Sequence, residues 1–112
     1  MLENIVTDLE TSKRLKELGF DRESWFVWAE IENKWQPLFN TIDLPTDHYH
    51  KAYTLEQILK ELPNDKEIRI DYKSWFHGIN YDDKINVYQQ EGDNLATTAA
   101  KLWIELKESR II

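Results

Sequence analysis

An α+β fold is predicted, with an antiparallel sheet of about five strands and three helices mostly on one face, in the order α-β-β-α-β-β-β-α. Three observations predict it. Capping-box patterns at Thr7-x-x-Glu10 and Thr54-x-x-Gln57 open helical stretches. The run Trp25-Phe26-Val27-Trp28-Ala29-Glu30-Ile31 is aromatic and β-branched, as strands favour. Ile68, Ile70 and Tyr72 alternate with Arg69 and Asp71, which gives a strand one apolar face.

Taken in order, the first helix spans about Asp8 to Leu18. Gly19 ends it in the left-handed conformation, and Phe20 folds back on Leu15 as in a Schellman motif. A β-hairpin follows, its strands Trp25–Ile31 and Trp35–Phe39 joined by Glu32-Asn33-Lys34. Pro37 cannot donate to a ladder, so the second of these strands belongs at an edge. Residues 40 to 53 hold Pro45 and show no periodicity, and they read as a long loop. The second helix runs about Leu55 to Leu62, with Leu55, Ile58, Leu59 and Leu62 on one face, Tyr53 stapled to Ile58, and Pro63 as its stop. Strands Glu67–Tyr72, Trp75–Tyr81 and Ile85–Gln90 form a meander, in which Gly78 marks a bulge or a close contact.

The last helix starts near Asp93 or Asn94 and reaches Ser109, with Leu95, Ala99, Leu102 and Leu106 facing the sheet. Ala96, Ala100, Trp103 and Ile104 widen its apolar arc to roughly 200°, more than one packing surface needs. A second neighbour is therefore expected there, either the first helix or another subunit.

With 112 residues, 41% of them hydrophobic and five of them Trp, the chain can bury one core and is read as a single domain over residues 1–112. It has no Cys, which excludes disulfides, thiolate metal sites and cysteine nucleophiles. The first residues lack the basic start and apolar run of a secretory signal, and no window is apolar enough to span a membrane. A cytoplasmic location is expected. The net charge of −7 opposes direct binding to nucleic acid, and the interspersed Lys and Arg are those of an ordinary solvated surface.

The stretches Arg14–Phe20, Ala52–Pro63 and Asn94–Lys107, in that order, resemble a group of small phage and prophage proteins of uncharacterised function. The resemblance implies an origin in a phage or integrated element and action in the cytoplasm of a bacterial host. It rests on capping and core patterns, so it implies a fold and carries no catalytic residue.

Candidate chemistry is sparse. Asp47-His48-Tyr49-His50, with Asp43 or His77, holds ligand types for zinc or nickel, but in a loop without a fixed third ligand these read as surface histidines. Asp82-Asp83 reads as a turn. The glycines, Gly19, Gly78 and Gly92, build neither a nucleophile elbow nor a phosphate loop. No catalytic, cofactor-binding or metal-binding residue is assigned.

A partner surface is the stronger candidate. On the hairpin, Trp25, Val27, Ala29 and Ile31 share one face while Phe26 and Trp28 share the other. Unless the strand is central or covered, Phe26 and Trp28 are exposed anchors for a partner, and Ile104 is a third contact. The expected function is a non-enzymatic interaction protein that binds another host or phage protein, or itself as a homodimer. The alternatives are an acidic nucleic-acid mimic and a metal-dependent hydrolase using His48 and His50.

Overall fold

In the computed structural model, which describes residues 2–40, 49–63, 66–82 and 84–112, the helices join two separate antiparallel sheets. After a turn of 3-10 helix at Leu2–Asn4 the elements are α1 (Leu9–Glu17), β1 (Phe26–Ile31), β2 (Lys34–Phe39), β3 (Tyr49–Ala52), α2 (Leu55–Glu61), β4 (Ile68–Lys73), β5 (Phe76–Tyr81), β6 (Ile85–Tyr88) and α3 (Leu95–Glu108). The α+β class stands, but the single sheet of about five strands does not: among the described residues six strands form two sheets, ordered β2-β1-β3 and β4-β5-β6. The added strand is β3, which lies in the stretch read as loop and pairs Tyr49 with Ala29 and Ala52 with Phe26. Because β3 pairs with β1, the chain leaves the first sheet at its edge, and β4 begins a new one.

Helices do not gather on one face of one sheet either. α1 packs on β3, α3 packs on β5 and β6, and both α1 and α2 pack on α3. The wide apolar arc of α3 is thereby explained: Ala96, Ala99, Ala100, Leu102, Trp103 and Leu106 are buried, and the other helices supply the additional neighbours.

The helix ends are set locally. α1 closes with Phe20 N–H donating to the Leu15 carbonyl at 2.9 Å and Gly19 N–H to the Lys16 carbonyl at 3.1 Å, Gly19 having φ +89°. These are the two bonds of a Schellman motif. Phe20 then meets Tyr53 and Trp103 edge-on, with ring centroids 4.7 and 4.9 Å away. α2 carries the expected capping box between Thr54 and Gln57. The α1 cap differs from expectation: Asp8, not Thr7, accepts from Thr11 N–H at 2.8 Å.

Thr7 has another task. Its N–H donates to the Tyr53 carbonyl at 2.9 Å, its hydroxyl meets the Ser12 hydroxyl at 2.7 Å, and its carbonyl accepts from the Trp28 indole at 2.8 Å. Asn94, the α3 cap, adds a tie by donating its side-chain amide to the Glu3 and Val6 carbonyls at 2.9 and 2.8 Å. Asp8 N–H donates to the Thr97 hydroxyl at 2.9 Å, so the starts of α1 and α3 are bonded to each other.

Candidate docking edge on the second sheet

The second sheet has an apolar inner face and a mixed outer one because β4, β5 and β6 alternate in register. Ile70, Ile79 and Val87 lie side by side on the inner face, as do Ile68, Tyr81 and Ile85, and α3 packs beneath them. On the outer face Asp71, Gly78 and Tyr88 form one row and Arg69, Asn80 and Asn86 the next.

β6 is an edge strand, and the ladder fixes which of its main-chain groups are used. Gln89 N–H donates to the His77 carbonyl at 2.6 Å. In an antiparallel ladder bonding residues alternate, so Val87 and Ile85 also turn their main chain to β5. Asn86 and Tyr88 therefore turn N–H and C=O outward, toward an edge on which no described strand pairs. The other edges are defended. β2 carries Pro37 and Lys34, β4 alternates Arg69, Asp71 and Lys73 along its length, and α1 packs on β3.

Beside the open edge runs a groove of about 530 Å³ between β6 and α3, lined by Ile85, Val87, Tyr88, Lys101, Ile104 and Glu105 among others. The helical repeat sets Lys101, Ile104 and Glu105 on one flank, at i, i+3 and i+4. Lys101 Nζ lies 2.6 Å from an Asp93 carboxylate oxygen, which fixes its ammonium at the rim. The opposite side of the edge is aromatic: Tyr88 meets Phe76 edge-on at 4.6 Å, and the exposed Trp75 lies beyond, with Lys73 Nζ 5.2 Å from its ring centre. A side chain at Gly78 would collide with the Val87 carbonyl and the Phe76 ring, so this close packing of β5 on β6 requires glycine. The contact that the sequence predicted for Gly78 is thus found.

The three residues singled out for a partner surface are not together. Ile104 is half-buried in the β6 groove. Phe26 is only 7% exposed and packs with Val6, Ala52 and Phe39, while Trp28 is half-buried and bonded to Thr7. Both expectations of exposure are corrected for one reason: β1 is the central strand, and residues 2–7 cover that face. Exposed aromatic side chains sit elsewhere, at Trp25, Phe39, Tyr72, Trp75 and Tyr88.

Of the histidine constellation, Asp43, Asp47 and His48 lie outside the described residues. His50 is on β3 and His77 on β5 of the other sheet, and among the described residues no group of three His, Cys, Asp or Glu could hold a metal. The His50 ring lies against Trp35, with centroids 5.4 Å apart and the planes tilted by 38°. Its burial, then the positive charges of Lys16 and Lys13, hold its pKa below the usual imidazole value. Asp82 has φ +50° and sits in the β5–β6 turn, the role expected of it, and Asp83 lies outside the described residues.

A second cleft, of about 410 Å³, lies between α1 and β3 and includes Ser12, Lys16, Asp21, Tyr49, Lys51 and Tyr53. Four of its polar groups, on Ser12, Asp21, Lys51 and Tyr53, are engaged in the fold. The Ser12 hydroxyl donates to the Asp8 carbonyl at 2.7 Å, Lys51 Nζ pairs with Asp21 at 2.7 Å, and the Tyr53 hydroxyl donates to the Arg22 carbonyl at 3.3 Å. The Lys51 ammonium holds the Asp21 carboxyl below its ordinary range, and burial raises the Tyr53 phenol.

Sequence reasoning missed Asn86 and Tyr88 as edge residues. The signal was present in the alternation Ile85-Asn86-Val87-Tyr88, but edge position depends on pairing that no local pattern carries. No family model, no curated protein and no solved structure matches this chain.

Proposed function

We propose that this protein is a non-catalytic interaction module that takes up an extended polypeptide segment as an additional strand on β6. The observation that carries the reading is the open edge at Asn86 and Tyr88 beside a groove of mixed lining, in which Ile85, Val87 and Ile104 lie among Lys84, Gln90, Lys101 and Glu105. Main-chain bonds would supply affinity, while alternate side chains of the guest would enter the Ile85–Val87–Ile104 groove or lie against Tyr88. An origin in a phage or integrated element, with a bacterial cytoplasmic partner, belongs to the same proposal and rests on the resemblance of residues 14–20, 52–63 and 94–107. The pairing of Lys and Arg with acids, as in Arg14–Glu108, Arg22–Glu61 and Lys101–Asp93, favours a mixed protein interface over mimicry of nucleic acid.

Hydrogen exchange on the intact chain tests the reading. An array of synthetic peptides with alternating apolar residues should include sequences that slow exchange at the Asn86 and Tyr88 amides, and Asn86→Pro should abolish that protection. Because the Asn86 N–H points away from β5, the substitution should leave the fold melting cooperatively. Failure of every peptide to protect those amides, at concentrations where the chain is monomeric, would remove the reading.

A further inference from the structure

We propose that the strand taken up by β6 is the β6 of a second copy, which makes the protein a two-fold symmetric dimer with one continuous sheet. The inference rests on the docking-edge reading above and names its occupant.

Two-fold pairing requires a surface complementary to itself. With the axis at Val87, Asn86 of one copy faces the partner's Tyr88, and both turn main-chain groups to the shared edge. Lys84 then faces the partner's Gln90, so no like charges meet between residues 84 and 90 of this ladder. Opposite residues of an antiparallel pair share a face, so Val87 meets the partner's Val87 on the inner side and the aromatic residues stay on the outer side.

The helices satisfy the same symmetry. α3 packs beneath β6, so joining two β6 strands brings the two α3 helices alongside each other in opposite directions. Lys101 and Glu105 both line the groove and are four residues apart. Antiparallel placement with the axis crossing α3 near residue 103 sets Lys101 against the partner's Glu105 and Glu105 against the partner's Lys101, with Ile104 between them. A foreign peptide could use the main-chain edge, but it would lack a helix to meet this pair of opposite charges. Charge complementarity at both ends of one apolar contact is what favours the second copy.

Sedimentation equilibrium of the full chain, with hydrogen exchange across the same concentrations, tests the proposal. The expected result is a monomer–dimer equilibrium in which the Asn86 and Tyr88 amides become protected as dimer forms. Glu105→Lys should raise the dissociation constant by ~10-fold or more through like-charge contact, and Lys101→Glu should do the same. Mixing the two variants should restore dimer, because every cross pair is again opposite. Should Lys101→Glu fold poorly beside Asp93, the concentration dependence of the unmodified chain still decides. A chain that stays monomeric at all concentrations overturns the inference, and peptide protection of the two amides would then leave the docking-edge reading standing. A dimer whose Asn86 and Tyr88 amides exchange freely, or one indifferent to Asn86→Pro and Glu105→Lys, also overturns it.

Discussion

The Trp28 indole N–H donates to the Thr7 carbonyl at 2.8 Å, and through this bond the central strand of the first sheet holds the segment that covers it. Trp28→Phe keeps the ring but leaves a buried carbonyl with less bonding, and should lower stability by about 1 kcal/mol in chemical denaturation. Phe26→Ser with Trp28→Ser should be far more damaging, giving a chain that no longer melts cooperatively. Were that double variant to fold like the parent, residues 2–7 could not be the cover described.

Gly78→Ala should destabilise by roughly 1–3 kcal/mol, since β5 must move away from the Val87 carbonyl and the Phe76 ring must also give way. The near-ultraviolet circular dichroism of the Phe76–Tyr88 pair should change with it. An unaltered denaturation midpoint would mean that β5 and β6 are less closely packed.

The β1–β2 turn offers a gain. Glu32 and Asn33 both have positive φ, 52° and 64°, the geometry of a two-residue type I′ hairpin turn. Glu is poorly suited to the left-handed region, and Glu32→Asn should raise stability by about 1 kcal/mol. A thermal midpoint that fails to rise would show that the Glu32 side chain offsets its backbone strain.

His50 should make the fold sensitive to mild acid. Its folded pKa lies below its unfolded value, because burial and then Lys16 and Lys13 disfavour the imidazolium. The unfolded chain therefore binds the proton more readily, so the contribution is complete above about pH 6.5 and is lost as pH falls through the folded pKa. Asp21, also held low, loses its contribution at more acid pH. Thermal midpoints between pH 8 and pH 5 should fall less steeply for His50→Gln than for the parent. Identical slopes would separate His50 from the effect.

Much of the fold was legible because its signals are local. The Schellman bonds of Gly19 and Phe20, the Thr54–Gln57 box and the stripe of α3 each depend on residues within a few positions. β3 was not legible: Tyr49-His50-Lys51-Ala52 is short, lacks alternation and follows a proline-containing stretch. Nor could the division into two sheets be read, since hairpins look alike whichever neighbour they find. The candidate site divides the same way. Ile104 emerged from helical geometry, whereas the burial of Phe26 and Trp28 depends on Leu2, Val6 and Thr7, remote residues without a pattern of their own.

Asn94 has a consequence for the order of folding. One side chain both starts α3 and binds the Glu3 and Val6 carbonyls, across sequence separations of 91 and 88 residues. On the ribosome Thr7 can bond Tyr53 and Trp28 once those residues have emerged, but the Glu3 and Val6 carbonyls must wait for Asn94. Loops of that size close slowly, so this last tie on the cover of Phe26 and Trp28 forms late in synthesis, after an interval in which the cover is held from one side alone.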